Sequence, residues 1–246
     1  MLERAQRRWA KSEATPQQIL AMGSLLDHDT LTIGFVRRFA QYKRPDLLFK
    51  DVERLKRIVN NSWCPVQIIF AGKSHPADTA SKKLLQNVHT MAIDRDFQGR
   101  IAFLEDYDMR LARYLVQGVD VWLNTPRRLQ EASGTSGMKA ALNGVLNLSV
   151  QDGWWLEAYN GENGWSIGDA TLKADTQEED KADAEALYRL LEEEVVPLYY
   201  NRNRNSLPHS WVSMMQMSIR SIVPVFNSRR MLKEYCEKMY LPTTDM

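Results

Sequence analysis

The stretch VDVWLNTPRRLQEASGTSGMKAALNGVLNLSV, residues 119–150, reads as strand, glycine-rich turn, short helix and strand. Val119–Leu123 (VDVWL) and Val145–Val150 (VLNLSV) are short and dominated by apolar side chains rather than alternating with polar ones. That pattern belongs to strands buried on both faces of a parallel sheet. Between them, the small residues of Glu131–Gly137 open a helix over Met138–Leu142.

The same unit recurs on the N-terminal side. Leu31–Phe35 (LTIGF), Val66–Ala71 (VQIIFA) and Arg100–Leu104 (RIAFL) read as three more strands. Helical spacing of apolar residues falls between them, over Leu47–Val59, Thr79–Met91 and Met109–Val116. The expected fold is therefore α/β, a Rossmann-like parallel sheet with helices on both faces. Residues 1–30 read as a polar helical lead-in broken near Thr15–Pro16, and 31–246 as one domain whose tail from about 171 is helical. The tail holds an acidic helix ending before Pro197, then helices over Trp211–Arg220 and Ser228–Tyr240 that cap the domain.

Lys and Arg total 32 against 31 Asp and Glu, so no global charge bias points to nucleic acid or an anionic membrane. The two cysteines, Cys64 and Cys236, follow no metal or redox spacing. No apolar run approaches the roughly 20 residues of a membrane span, and the N-terminus lacks a signal-type apolar segment. A soluble, cytoplasmic chain is the expectation.

In an open parallel sheet, ligands bind outside the carboxyl ends of the strands. Three groups fall there. Arg37-Arg38-Phe39-Ala40-Gln41-Tyr42-Lys43-Arg44 sets four cations in eight residues directly after the first strand. It reads equally as an anion site or as a solvated loop paired with acids such as Asp46 and Asp51. Glu131–Lys139 offers glycines for close backbone approach, the N–H groups of a helix start for a phosphate, and the hydroxyls of Thr135 and Ser136. The plainer reading is a tight connection, since the P-loop spacing is absent. Lys139 reads either as an exposed helix lysine or as a partly desolvated amine able to form a Schiff base. Asp152–Tyr159, with Asn160-Gly161 and Asn163-Gly164-Trp165, reads either as a sugar-stacking aromatic cluster or as a turn-rich lid over the sheet edge. The four histidines form no ligand pattern, and no metal site is expected.

The block EASGTSGMKAALNG at Glu131–Gly144 closely resembles the pyridoxal-phosphate lysine motif of the α-glucan phosphorylases. VRRFAQYKR at Val36–Arg44, FAGK at Phe70–Lys73, FLEDY at Phe103–Tyr107 and LNLSVQDG at Leu146–Gly153 resemble further family segments, in the family's order. The likeness runs from Leu31 to Asp169 and is nearest to the shorter bacterial and archaeal enzymes.

The resemblance implies the second domain of a two-domain glycosyltransferase fold of GT-B type, with the active site in the cleft between domains. It makes Lys139 the Schiff-base lysine of pyridoxal 5'-phosphate. Arg38 and Lys43 match positions that meet the substrate or cofactor phosphate, and Arg37 another cationic position of that pocket. Thr135, Ser136 and Gly137 would hold the cofactor phosphate alongside Tyr107, and Glu131, Ser133 and Gly134 would bind hydroxyls of the transferred glucose. After Tyr107 stands Asp108, where much of the family has an arginine; Arg127 and Arg128 are the candidates to supply that charge.

The implied reaction is reversible phosphorolysis of α-1,4-glucan by inorganic phosphate, giving glucose 1-phosphate with retained configuration. The acceptor-binding N-terminal half of the family is not in this sequence, so the expectation is little or no activity from the chain alone. Homodimerisation is the partner expectation the family carries. The competing readings are a nucleotide-sugar-dependent transferase resembling glycogen synthase, which needs no Schiff-base lysine, and a non-catalytic glucan-binding remnant.

Overall fold

A computed structural model describes residues 27–169, 171–172, 175–203 and 206–241. The helices expected within residues 1–26 lie outside them. Six strands form one sheet in the order β3-β2-β1-β4-β5-β6: β1 Leu31–Val36, β2 Val66–Ala71, β3 Ile101–Leu104, β4 Val121–Asn124, β5 Leu146–Val150 and β6 Gly164–Ile167. Every pairing is parallel. β1 lies in full register with β2, from Leu31 opposite Val66 to Val36 opposite Ala71, and on its other side pairs with β4 at Ile33–Val121 and Gly34–Trp122.

The strands are apolar throughout because both faces are covered. Leu31, Ile33 and Phe35 of β1, with Val66, Ile68 and Phe70 of β2, enter one buried cluster, while Val36, Ile69, Ala71 and Trp122 enter another on the opposite face. The helices are α1 Val52–Val59, α2 Thr79–Ala92, α3 Met109–Gly118, α4 Ser136–Leu142, α5 Trp154–Ala158, α6 Thr176–Leu190, α7 Val196–Tyr200, α8 His209–Ile222 and α9 Ser228–Tyr235. Asp51, Asp78 and Asp108 cap α1, α2 and α3 by accepting the N–H groups of Arg54, Ser81 and Leu111. The tail joins the same core through Leu187, Tyr188, Val195, Tyr199 and Trp211. Among the described residues, no helix is long and apolar enough to cross a membrane.

The expected α/β sheet is therefore what the chain forms, with three local differences. Gly164–Ile167, read as part of a turn-rich lid, is the sixth strand, paired with β5. The helix expected over Leu47–Val59 is split: Leu47–Phe49 is a 3-10 turn, and Asp51 starts α1 afresh. The acidic helix does not stop before Pro197. A π turn at Leu191–Val195 widens the helix ahead of the proline, which then sits at the start of α7, where its missing N–H costs least.

Candidate functional site

The strand order reverses between β1 and β4, and the crevice outside their carboxyl ends is where an open α/β sheet binds ligands. The chain leaves β1 at Arg37, whose N–H donates to the Ala71 carbonyl at 3.0 Å. Gly72 makes this exit possible: a Cβ there would lie 2.0 Å from the Arg37 carbonyl oxygen. The 3-10 turn Gln41–Lys43 follows and ends on Arg44 in the left-handed region, φ 43°.

Lys43 and Arg37 both face Glu131 from the loop after β4. Lys43 Nζ donates to Glu131 Oε2 at 2.6 Å, and Arg37 Nη2 lies 3.5 Å from the same oxygen. Arg37 is 8% exposed, and its Nε and Nη1 are buried without a hydrogen-bond partner among the described residues. Burial lowers its pKa, offset by the fields of Glu131, Tyr42 and Tyr107. A guanidinium nevertheless keeps its charge at neutral pH. Unpaired buried donors on a cation are costly and call for an explanation; a ligand that accepts from them supplies one. Asn124 Oδ1, at the end of β4, is likewise buried and unpaired among the described residues, and lines the same narrow cleft, whose enclosed volume is about 10 Å³.

The loop after β4 is shaped by Asp152. Its carboxylate, 7% exposed, accepts the backbone N–H groups of Leu129, Gln130 and Glu131 at 3.0, 3.2 and 2.8 Å. Three donors on one carboxylate hold Leu129 in the left-handed region, φ 65°, and fix the point from which Glu131 projects. Further on, Trp154 N–H donates to the Ser133 carbonyl at 2.9 Å, and the φ of 55° at Gly153 permits that contact. A Cβ on Gly153 would meet Ser133 O at 2.3 Å.

The expected residues thus divide. Arg37, Lys43 and Glu131 are in mutual contact, and Ser133, Gly134 and Ser136 line the same cleft. Ser136 Oγ accepts from Trp122 Nε1 at 3.2 Å. Thr135 is exposed at the N-cap of α4, and its side chain makes no capping bond. Gly137 is explained by packing, since a Cβ would meet Asn147 Oδ1 at 2.5 Å and Trp154 at 2.6 Å. Tyr107 is half-buried against the α3 cluster, which raises its pKa against the opposing field of Arg37. Arg38 is exposed. So is Lys139, on α4, rather than in the apolar setting that one reading required.

Other expectations are corrected. The acids paired with the basic loop are not Asp46 and Asp51 but Glu131 and, for Arg44, Asp180 and Asp183. Arg127 and Arg128 do not replace the cation missing at Asp108; they bind Glu179, Asp180 and Asp183. The aromatic cluster is core rather than a stacking surface: Trp155 is fully buried, and Trp165 packs on Trp211 at 5.6 Å. A larger hollow of about 370 Å³ lies between β6 and α6, and of its charged walls Arg128 and Asp183 bind each other.

Sequence reasoning missed Asn124 and the clamping role of Asp152. Both stand at strand carboxyl ends, where a polar residue breaking an apolar run was the available signal.

The chain matches the profile of a family described as carbohydrate phosphorylase over residues 6–193. It is 58% identical over 238 residues to a glycogen phosphorylase of Aquifex aeolicus, covering 97% of this chain and 34% of that protein. It is 56% identical to a maltodextrin phosphorylase of Thermococcus litoralis (87% of this chain, 25% of that one) and 45% identical to a glycogen phosphorylase of Mycobacterium bovis (97% and 28%). The chain thus spans about a third or less of the length of these curated relatives.

Proposed function

The chain belongs to the carbohydrate phosphorylase family, and from that premise we propose that it is the phosphate- and cofactor-binding part of a cytoplasmic α-glucan phosphorylase. The reaction is reversible phosphorolysis of α-1,4-glucan to glucose 1-phosphate. The observation that carries this reading is the buried Arg37, with two unpaired nitrogens, beside the Lys43–Glu131 pair at the switch point of the sheet. Family membership sets aside the nucleotide-sugar transferase alternative.

Each residue's part follows from its chemistry. Arg37, Lys43 and the exposed Arg38 carry three positive charges against the carboxylates of Glu131 and Asp152, the latter committed to three backbone N–H groups, a balance suited to phosphate oxygens. When phosphate binds, Lys43 exchanges its carboxylate partner for a phosphate oxygen. Glu131 Oε2 is then free to accept from a glucosyl hydroxyl, with Asn124 Oδ1 as a second acceptor. Cations held in place before charge develops stabilise the transition state without reorganising.

The residues present also fit pyridoxal phosphate. Arg37 offers buried donors, Thr135 an uncommitted hydroxyl, Ser136 and Gly137 the start of α4, and Lys139 an accessible amine for attachment. The bound cofactor supplies a second phosphate, whose pKa near 6 suits proton exchange with the substrate phosphate at neutral pH. Glucan binding and full activity draw on residues outside this chain, in keeping with the 34% of its Aquifex relative that it spans.

The test is an absorbance spectrum of the chain with pyridoxal phosphate, before and after borohydride, with Lys139→Ala alongside. A reducible band lost in the variant is expected; a band retained in Lys139→Ala would remove that lysine's role. Glucose 1-phosphate release from maltodextrin is expected when the remaining part of a phosphorylase is supplied in trans. Its absence despite confirmed cofactor loading would refute the activity.

A further inference from the structure

The acids of α6 divide the basic residues of the site into those held and those free for a ligand. Asp183, 2% exposed, accepts from Arg44 Nη2 at 2.6 Å and from Arg128 Nη1 at 2.8 Å through Oδ2, and from Arg128 Nη2 at 2.9 Å through Oδ1. Asp180 adds Arg44 Nη1 at 3.1 Å and Arg127 at 2.9 Å.

Each arginine in turn ties down backbone. Arg44 donates to the carbonyls of Thr125 and Pro126 at 3.0 and 2.9 Å, and Arg128 to that of Asp169 at 2.8 Å. Thr125 Oγ1 donates back to the Lys43 carbonyl at 2.8 Å, and Arg127 N–H to the Tyr42 carbonyl at 2.7 Å. One carboxylate on a distant helix therefore closes a loop of bonds through the residue after Lys43 and through the segment leading to Glu131.

We propose that Asp183 is a positioning residue for phosphate binding, acting through Arg44 on Lys43 and through Arg128 on the loop that carries Glu131. This rests on the functional reading above. The geometry gives it two effects. It fixes the separation of Lys43 and Glu131 across the crevice, because both supporting arginines are anchored to the same carboxylate. It also occupies Arg44 and Arg128, so that only Arg37, Arg38 and Lys43 compete for a phosphate. An apolar residue at position 183 would leave Arg44 with Asp180 and Arg128 with Glu179 but strip both guanidiniums of buried hydrogen bonds, and both loops would relax outward to hydrate the freed donors.

The test follows protection of the exposed Arg38 from an arginine-selective dicarbonyl reagent, read by mass spectrometry, as inorganic phosphate is titrated into the chain. In Asp183→Asn, half-protection is expected to need about tenfold more phosphate than in the unsubstituted chain. Asp180→Asn, a less buried change on the same network, keeps the test open if Asp183→Asn does not fold, with a shift of about two- to threefold. Tyr188→Phe is the control for stability alone: it removes a hydroxyl on α6 that bonds Leu48 O and Asp51 N, away from the arginines, and the phosphate midpoint is expected not to move. Unchanged midpoints in folded Asp183→Asn or Asp180→Asn, with phosphate protection intact in the unsubstituted chain, would overturn the inference alone. A midpoint shift in Tyr188→Phe equal to theirs would also overturn it, reducing Asp183 to a stability residue. Absence of phosphate protection in the unsubstituted chain would overturn the functional reading and this inference with it.

Discussion

Replacing Arg37 by methionine separates the cost of the site from its use. Methionine keeps an unbranched apolar stem in the same space while removing the charge and all five donors. Two of the guanidinium's three nitrogens, Nε and Nη1, are buried without partners among the described residues, and each such group costs roughly 1–3 kcal/mol. Against this gain stand a long ion pair, Nη2 to Glu131 at 3.5 Å, and a cation–π contact with Phe35 at 6.0 Å. These contribute about 0.5–1 kcal/mol each. Glu131 keeps its 2.6 Å bond to Lys43, so no new buried charge is orphaned. The expected net effect in phosphate-free buffer is stabilisation by about 2 kcal/mol. Phosphate at about ten times its dissociation constant would add about 1.4 kcal/mol to the unsubstituted chain and little to the variant. Urea unfolding with and without phosphate measures both. A variant less stable by more than about 1 kcal/mol without phosphate would refute the claim that the unpaired guanidinium is a strain held for a ligand.

Asp120, whose pKa burial raises to about 6 from 3.8, binds its proton more tightly in the folded chain than in the unfolded one. Its ionisation therefore costs stability that is lost as pH rises from about 4 to 6, by roughly 3 kcal/mol at most. Asp120→Asn keeps an acceptor for the Thr32 N–H, bonded at 2.8 Å; it is expected to flatten that slope and to be the more stable at pH 7 in urea titrations run across pH. Gly137→Ala is expected to lower stability by about 1–3 kcal/mol despite the better helix propensity of alanine, because its Cβ would press on Trp154 and Asn147; a rise in Tm would show that the two side chains yield freely. Asp152→Asn brings an NH₂ group up to three backbone donors, and a loss of about 2 kcal/mol in chemical denaturation is expected.

Five strands were legible because each is a short apolar run beside a turn signal, and burial on both faces removes the alternation that would make a run ambiguous. β6 was not, because Gly164–Ile167 is four residues long, follows Asn160-Gly161 and opens on the glycine of Asn163-Gly164, so that it reads as loop. Its place in the sheet comes from pairing with β5 and from Trp165 packing into the core. The continuation through Pro197 was hidden because a π turn is a tertiary accommodation with no local signature.

At the site, the cation density after β1 and the glycine pattern after β4 were legible, and so was their meeting at the carboxyl edge. Which cation faces which acid was not: Asp180 and Asp183 lie in a helix that begins at Thr176, far along the chain from Arg44. Exposure was equally invisible, and it separates Lys43 and Arg37 from Arg38 and Lys139.

The separation along the chain between Arg44 and its counter-charges bears on how the protein is made. During synthesis β1 and β2 emerge together, but the neighbour on the other side of β1 arrives only with Val121, and the carboxylate bridging Arg44 to Arg128 only with residue 183. A nascent chain halted just short of residue 183 holds all six strands while two guanidiniums still need water, which keeps the carboxyl edge loose. Completion of the hydrophobic sheet and completion of the binding edge are therefore separate events in time, with the translation of α6 as the step that ends the interval.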